Sequence, residues 1–112
     1  MKSCLIIDDS SVVRKVARRI LEDMDYIVDE AEDGQEAFDK CRQEMPDAVL
    51  LDWQMPIMGG LEFLQAVKRV NAALPVVVMT AFGTVETAVE AMKTGASDYV
   101  LKPFSLAEMR LV

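Results

Sequence analysis

Ala48-Val49-Leu50-Leu51-Asp52 places a carboxylate directly after four apolar residues. Three other stretches repeat that form: Cys4-Leu5-Ile6-Ile7 before Asp8-Asp9, Pro75-Val76-Val77-Val78-Met79 before Thr80, and Tyr99-Val100-Leu101 before Lys102. Short runs rich in Val, Ile and Leu predict parallel strands covered on both faces, because a half-exposed strand would alternate polar and apolar residues. In an open parallel sheet the ligand crevice lies outside the carboxyl ends of the strands. One geometric rule therefore gathers three carboxylates, a hydroxyl and an ammonium into one pocket.

Between these runs the spacing turns helical. Val12, Val13, Val16, Ala17, Ile20, Leu21 and Met24 recur three and four residues apart, one face of an amphipathic helix. Arg14, Lys15, Arg18 and Arg19 take the other face. A short strand is expected near Tyr26 to Ala31. Asp33 with Glu36 has the form of a capping box and opens a helix to about Glu44, which Pro46 and Asp47 end. A third helix, from about Gly60 to Val70, turns Leu61, Leu64 and Val67 inward. A fourth starts at Thr84 as N-cap, turns Val85, Ala88, Val89 and Met92 inward, and stops at Gly95. Strand five covers about Asp98 to Leu101. Pro103 interrupts it, and Ser105 with Glu108 forms a second capping box for a last helix. The alternation predicts an α/β fold, a doubly wound parallel sheet of five strands with helices on both faces.

Composition narrows the function classes. At 112 residues, 52% hydrophobic and 28% charged, the chain suits one domain with one core. A net charge of -7 argues against direct nucleic-acid binding, which needs a basic face, and fits partners with basic patches. The chain has no histidine, which removes imidazole catalysis and a phosphohistidine of its own. Cys4 and Cys41 fall in a strand and on an apolar helix face, and read as buried thiols in a reducing cytoplasm. No apolar stretch approaches the ~18 residues of a membrane span, and no signal peptide, linker or repeat is recognisable.

The residues at the strand ends carry a resemblance. Ile7-Asp8-Asp9-Ser10, Leu51-Asp52-Trp53-Gln54-Met55-Pro56, Met79-Thr80-Ala81, Gly95-Ala96-Ser97-Asp98-Tyr99 and Lys102-Pro103-Phe104 follow one another in that order. A lone Asp-Asp or Lys-Pro pair means little, but the five together resemble the receiver domain of two-component response regulators, across residues 1–112. The resemblance implies a flavodoxin-like sheet with strand order 2-1-3-4-5; the order comes with that fold type, since spacing along the chain does not specify it. It also implies a cytoplasmic, phosphorylation-activated switch. Its partners would be a histidine kinase or histidine phosphotransferase and a downstream effector or output domain.

The chemistry is coherent on its own terms. Phosphoryl transfer to a carboxylate needs a nucleophile, a hard cation and donors for the equatorial oxygens. Asp52 is the candidate nucleophile, since carboxylates form acyl phosphates. The resemblance implies Mg2+, with Mn2+ as a substitute, bound directly by Asp9, Asp52 and the main-chain carbonyl of Gln54, and through water by Asp8. It implies that Lys102, the Thr80 hydroxyl and the Ala81 N–H each meet a phosphoryl oxygen. Thr80 and Tyr99 would then form the switch. Trp53, next to Asp52, is expected at the pocket rim. Plainer readings compete: acids at strand ends are often only solvated, Thr80 alone suits a strand-end hydrogen bond, and Tyr99 alone suits a core. Lys102 is the most telling residue, because an ammonium between Leu101 and Pro103 needs an anionic partner.

Three features depart from the family. Met58-Gly59-Gly60 replaces the usual acid at the start of helix three with Gly, which costs only a few tenths of a kcal/mol. Phe82 stands where the family tunes dephosphorylation. The last helix is shortened and ends at Val112, which suggests a chain cut from a longer protein, or self-association through the end formed by helix four, strand five and helix five. Two other functions share the fold. A Mg2+-dependent phosphohydrolase with an aspartyl-phosphate intermediate commonly carries a second acid two residues after the nucleophile, where this chain has Gln54. A flavin or nucleotide carrier needs a phosphate loop, and Asp8-Asp9-Ser10-Ser11 is acidic and lacks glycine. The receiver is accordingly expected to modify itself without turning over metabolites.

Overall fold

Four apolar runs and one alternating segment form the five strands of a single parallel sheet. A computed structural model of the chain describes residues 2–55, 58–80 and 85–102. The strands are β1 (Ser3–Ile7), β2 (Ile27–Ala31), β3 (Ala48–Asp52), β4 (Val76–Thr80) and β5 (Asp98–Leu101). The helices are α1 (Ser11–Asp23), α2 (Gly34–Gln43), α3 (Gly60–Val70) and α4 (Val85–Thr94). The sheet order is β2-β1-β3-β4-β5, as expected. β3 and β4 are buried at every position, whereas the edge strand β2 alternates exposed and half-buried residues before Ala31. Asp52 and Thr80 are the last residues of their strands, not the first beyond them.

Two cores separate by strand parity. Leu5, Ile7, Val49, Leu51, Val76 and Val78 face α2 and α3, where Cys41, Phe63, Leu64 and Val67 meet them. Cys4, Ile6, Ala48, Leu50, Val77 and Met79 face α1, through Ala17 and Leu21. A fully buried Leu or Phe in either core contributes about 1.5–3 kcal/mol. Both cysteines are buried and unbridged, and burial pushes the Cys4 thiol up to about 12, so it stays protonated.

Three helix faces differ from expectation. On α1, Val12 and Val16 are 69% and 50% exposed, while Val13, Ile20 and Met24 pack partly and Ala17 and Leu21 fully. Seven apolar positions at about 100° per residue span half the helix circumference, wider than the contact with the sheet. The four basic residues also divide. Arg14 and Arg18 flank Leu21 over β2 and form ion pairs, whereas Lys15 and Arg19 are exposed. On α3, Phe63 is inward and Leu61 only half-buried. On α4, Ala91 is buried and Val89 and Met92 are exposed, roughly a quarter turn from the expected face. Ala88, also expected inward, is half-buried.

Helix ends follow local chemistry. Asp33 accepts from the Glu36 N–H, but the Glu36 carboxylate reaches the N–H of Glu32, one residue before the cap. Gly59 is the N-cap of α3 and makes no side-chain cap bond. Gly95 ends α4 at φ +118, where a side chain would be strained. Ala81, Phe82, the Thr84 cap and the last helix with its Ser105–Glu108 box lie outside the described residues.

Candidate functional site

Strand alternation, carried to the carboxyl ends of the ladders and one step past them, brings the site together. Asp8 follows the parity of Cys4 and Ile6, Asp52 that of Ala48 and Leu50, and Lys102 that of Val100. All three side chains therefore continue the α1 face of the sheet at its carboxyl edge. Lys102 Nζ lies 2.7 Å from Asp8 Oδ2 and donates to Asp52 Oδ1 at 3.1 Å. Its own N–H donates to the Thr80 carbonyl at 2.8 Å, which fixes the backbone from which the ammonium extends. Asp8 is fully buried, Asp52 nearly so, and Asp9 is exposed.

Asp8 is fixed on several sides. Its N–H donates to the Ala31 carbonyl at 3.1 Å, and its Oδ1 accepts from the Ser10 N–H at 2.9 Å. Ser10 also caps α1, accepting from the Val13 N–H with its hydroxyl. The other oxygen, Oδ2, has the Lys102 ammonium close by but, among the described residues, no partner in hydrogen-bond geometry. One oxygen each from Asp8, Asp9 and Asp52 lie within 4.8 Å of one another. An under-bonded buried carboxylate in an all-oxygen donor set fits a hard divalent cation such as Mg2+.

The charges are out of balance. Burial pushes the Asp52 carboxyl up to about 6, the Asp8 charge adds to this, and Lys102 only partly offsets both. Burial opposes the Lys102 ammonium as well, yet Asp8 and Asp52 hold its pKa above the usual lysine value. Two or three carboxylates against one ammonium would gain from a further cation.

The remaining expected residues sit around this cluster. The Gln54 N–H donates to Asp52 Oδ1 at 3.2 Å, and its side chain is exposed. Thr80 is buried and shares the parity of Val76 and Val78, so it ends the α3 face of the sheet. Tyr99, opposite Val78 in the neighbouring strand, is half-buried against the same core. The Trp53 ring packs on the α2 and α3 core, against Gly60, where a Cβ would lie 2.9 Å from both the ring and the Asp52 carbonyl. By strand alternation its side chain takes the face opposite that of Asp52. Sequence reading missed Arg14, Glu30 and Ser10. Arg14 sits four residues after the N-cap, and Glu30 interrupts an otherwise apolar parity, but neither signal identifies a partner.

Residues 4–112 match the family model of the response regulator receiver domain. The response regulator MprA of Mycolicibacterium vanbaalenii is 41% identical over 105 residues, 94% of this chain and 46% of that protein. The transcriptional regulatory protein ZraR of Escherichia coli is 39% identical over 106 residues, 95% of this chain and 24% of that protein. The chain thus spans less than half the length of these relatives. Among solved structures, the Vibrio cholerae chemotaxis protein CheY4 superposes with a TM-score of 0.90 at 32% identity, covering 96% of this chain and 92% of that one.

Proposed function

The chain belongs to the response regulator receiver domain family, and from that membership we propose that Asp52 is its phosphoacceptor. Receiver domains of this family are phosphorylation-activated signalling switches of two-component systems. In this chain an Asp52 oxygen attacks the phosphorus of a phosphohistidine on a histidine kinase or histidine phosphotransferase. The new O–P bond forms as the N–P bond breaks, and the donor imidazole keeps the nitrogen electron pair. Lys102 holds one phosphoryl oxygen, the Thr80 hydroxyl a second, and the Ala81 N–H, outside the described residues, a third. Asp9, Asp52 and the Gln54 carbonyl would hold Mg2+ or Mn2+ directly, with Asp8 acting through water. Such a cation would supply positive charge against the phosphoryl oxygens.

The observation that carries the reading is Lys102, one ammonium within 3.1 Å of two buried carboxylates at the carboxyl ends of separate strands. That pairing aims a phosphate-binding cation at Asp52, and Asp8 Oδ2, though ion-paired, has no partner in hydrogen-bond geometry among the described residues. The Thr80 hydroxyl gains a charge-assisted bond when the phosphoryl group arrives, and its movement frees space for Tyr99. The readout reaches a downstream effector or an output domain through α4 and β5, where Val89, Met92 and Leu101 are exposed, and the same end serves self-association. This receiver works in the cytoplasm, itself makes no direct contact with nucleic acid, and carries out chemistry on itself: phosphorylation and slow dephosphorylation. No helix among the described residues is long and apolar enough to cross a membrane.

Intact mass after incubation with acetyl phosphate and Mg2+ tests the assignment. The parent chain takes up one base-labile phosphoryl group and Asp52→Asn takes up none; an equal mass increase in the variant removes the claim. Thr80→Ala is still phosphorylated but loses the Tyr99 ring rearrangement seen by NMR. A normal rearrangement in that variant sinks the coupling.

A further inference from the structure

Arg14 reaches the acidic loop through its backbone. Its Nη1 donates to the main-chain carbonyl of Asp8 at 2.6 Å, and its Nε donates to Glu30 Oε1 at 3.0 Å. The second Glu30 oxygen accepts from Arg18 Nε at 2.7 Å, so the brace is itself held. The Arg14 side chain is only 11% exposed. The carbonyl it grips belongs to the peptide joining Asp8 to Asp9. With the Asp8 N–H bound to Ala31 and Oδ1 bound to Ser10, that grip completes the fixation of the loop. It orients the peptide plane from which the exposed Asp9 carboxylate projects. A guanidinium serves two acceptors at fixed angles, which a lysine ammonium on a flexible stem does not.

We propose that Arg14, braced by Glu30, is a positioning residue for the divalent cation, holding the Asp8-Asp9 peptide so that both carboxylates present to one ion. The inference rests on the metal-site reading of Asp8, Asp9 and Asp52. Arg14 touches neither the phosphoryl group nor the cation in this role. The sign of its effect separates it from two simpler roles. A guanidinium acting only by its charge would repel the cation, so its removal would tighten binding. A guanidinium that only ties α1 to β2 would lower thermal stability and leave affinity unchanged.

Isothermal titration with magnesium chloride decides between them, using the parent chain, Arg14→Ala, Arg14→Lys and Glu30→Gln. Changes to groups that orient metal ligands typically cost ten-fold or more in affinity. Arg14→Ala is expected to raise the Kd for Mg2+ about ten-fold. Arg14→Lys, which keeps the charge, also weakens binding, and Glu30→Gln weakens it by a smaller factor. If Arg14→Ala does not fold by circular dichroism, the other two variants carry the test. A parent chain that binds no Mg2+ overturns the metal-site reading and this inference with it. A parent that binds, with folded variants of equal or tighter affinity, overturns this inference alone.

Discussion

The Asp8, Asp9, Asp52 and Lys102 cluster sets three carboxylates against one ammonium, while beside it Glu30 takes the guanidinium groups of both Arg14 and Arg18, which also pair with Glu32 and Glu22. Burial raises a carboxyl pKa in both places, and the neighbours decide the outcome. Asp52 ends up at about 6, because Asp8 adds to the burial penalty. Glu30 ends up below the usual glutamate value, because Arg18 and Arg14 more than cancel that penalty. The first cluster is poised to take up positive charge. The second is satisfied and serves as a fixed support.

Removing the ammonium tests the imbalance most severely. Lys102→Met leaves buried carboxylates without a counter-charge and should cost about 3 kcal/mol in Mg2+-free buffer. Mg2+ should raise its Tm more than it raises the parent's. A loss below about 0.5 kcal/mol, the size of an exposed ion pair, would show that solvent already balances the pocket.

A smaller effect of opposite sign is expected at Asp52. Its folded pKa is raised from 3.8 to about 6, so the stability linked to its proton is fully present in acid and lost as pH climbs through that window. Asp52→Asn should therefore stabilise the Mg2+-free chain by about 2–3 kcal/mol at neutral pH. The gain should vanish below the unfolded carboxyl value of 3.8. Urea unfolding at both ends of the window measures this; a gain independent of pH would assign it to packing.

The smallest effect belongs to the satisfied cluster. The folded pKa of Glu30 is lowered from 4.5, so its contribution is present above that value and lost as pH falls through the folded pKa. Glu30→Gln should cost about 1 kcal/mol at neutral pH and nothing in strong acid. A cost that persists in acid would mean that shape, not charge, supports Arg14.

Much of this was legible from residue order. Buried strands leave no polar alternation, so Cys4–Ile7, Ala48–Leu51 and Val76–Met79 declared themselves, and their ends located Asp8, Asp52, Thr80 and Lys102. Helix faces were less legible. Val12 and Val16 belong to an apolar stripe wider than its contact, and Ala91 is too small to weigh in a periodicity although it is fully buried. Arg14 read as part of a basic helix face and its pairing with Glu30 went unseen, because an ion pair 16 residues apart leaves no periodic trace.

The sequence by itself determined the class of fold, the sheet edge where the chemistry sits, and the residues that gather there, since each follows from local pattern and the direction of parallel strands. Tertiary structure decided which face of the sheet each one meets. Asp8, Asp52 and Lys102 continue the α1 side, while Thr80, Trp53 and Tyr99 belong to the α3 side. The reason is the pleat: a shift of one residue at a strand end reverses a side chain, and only the register between strands shows which residues then share a face.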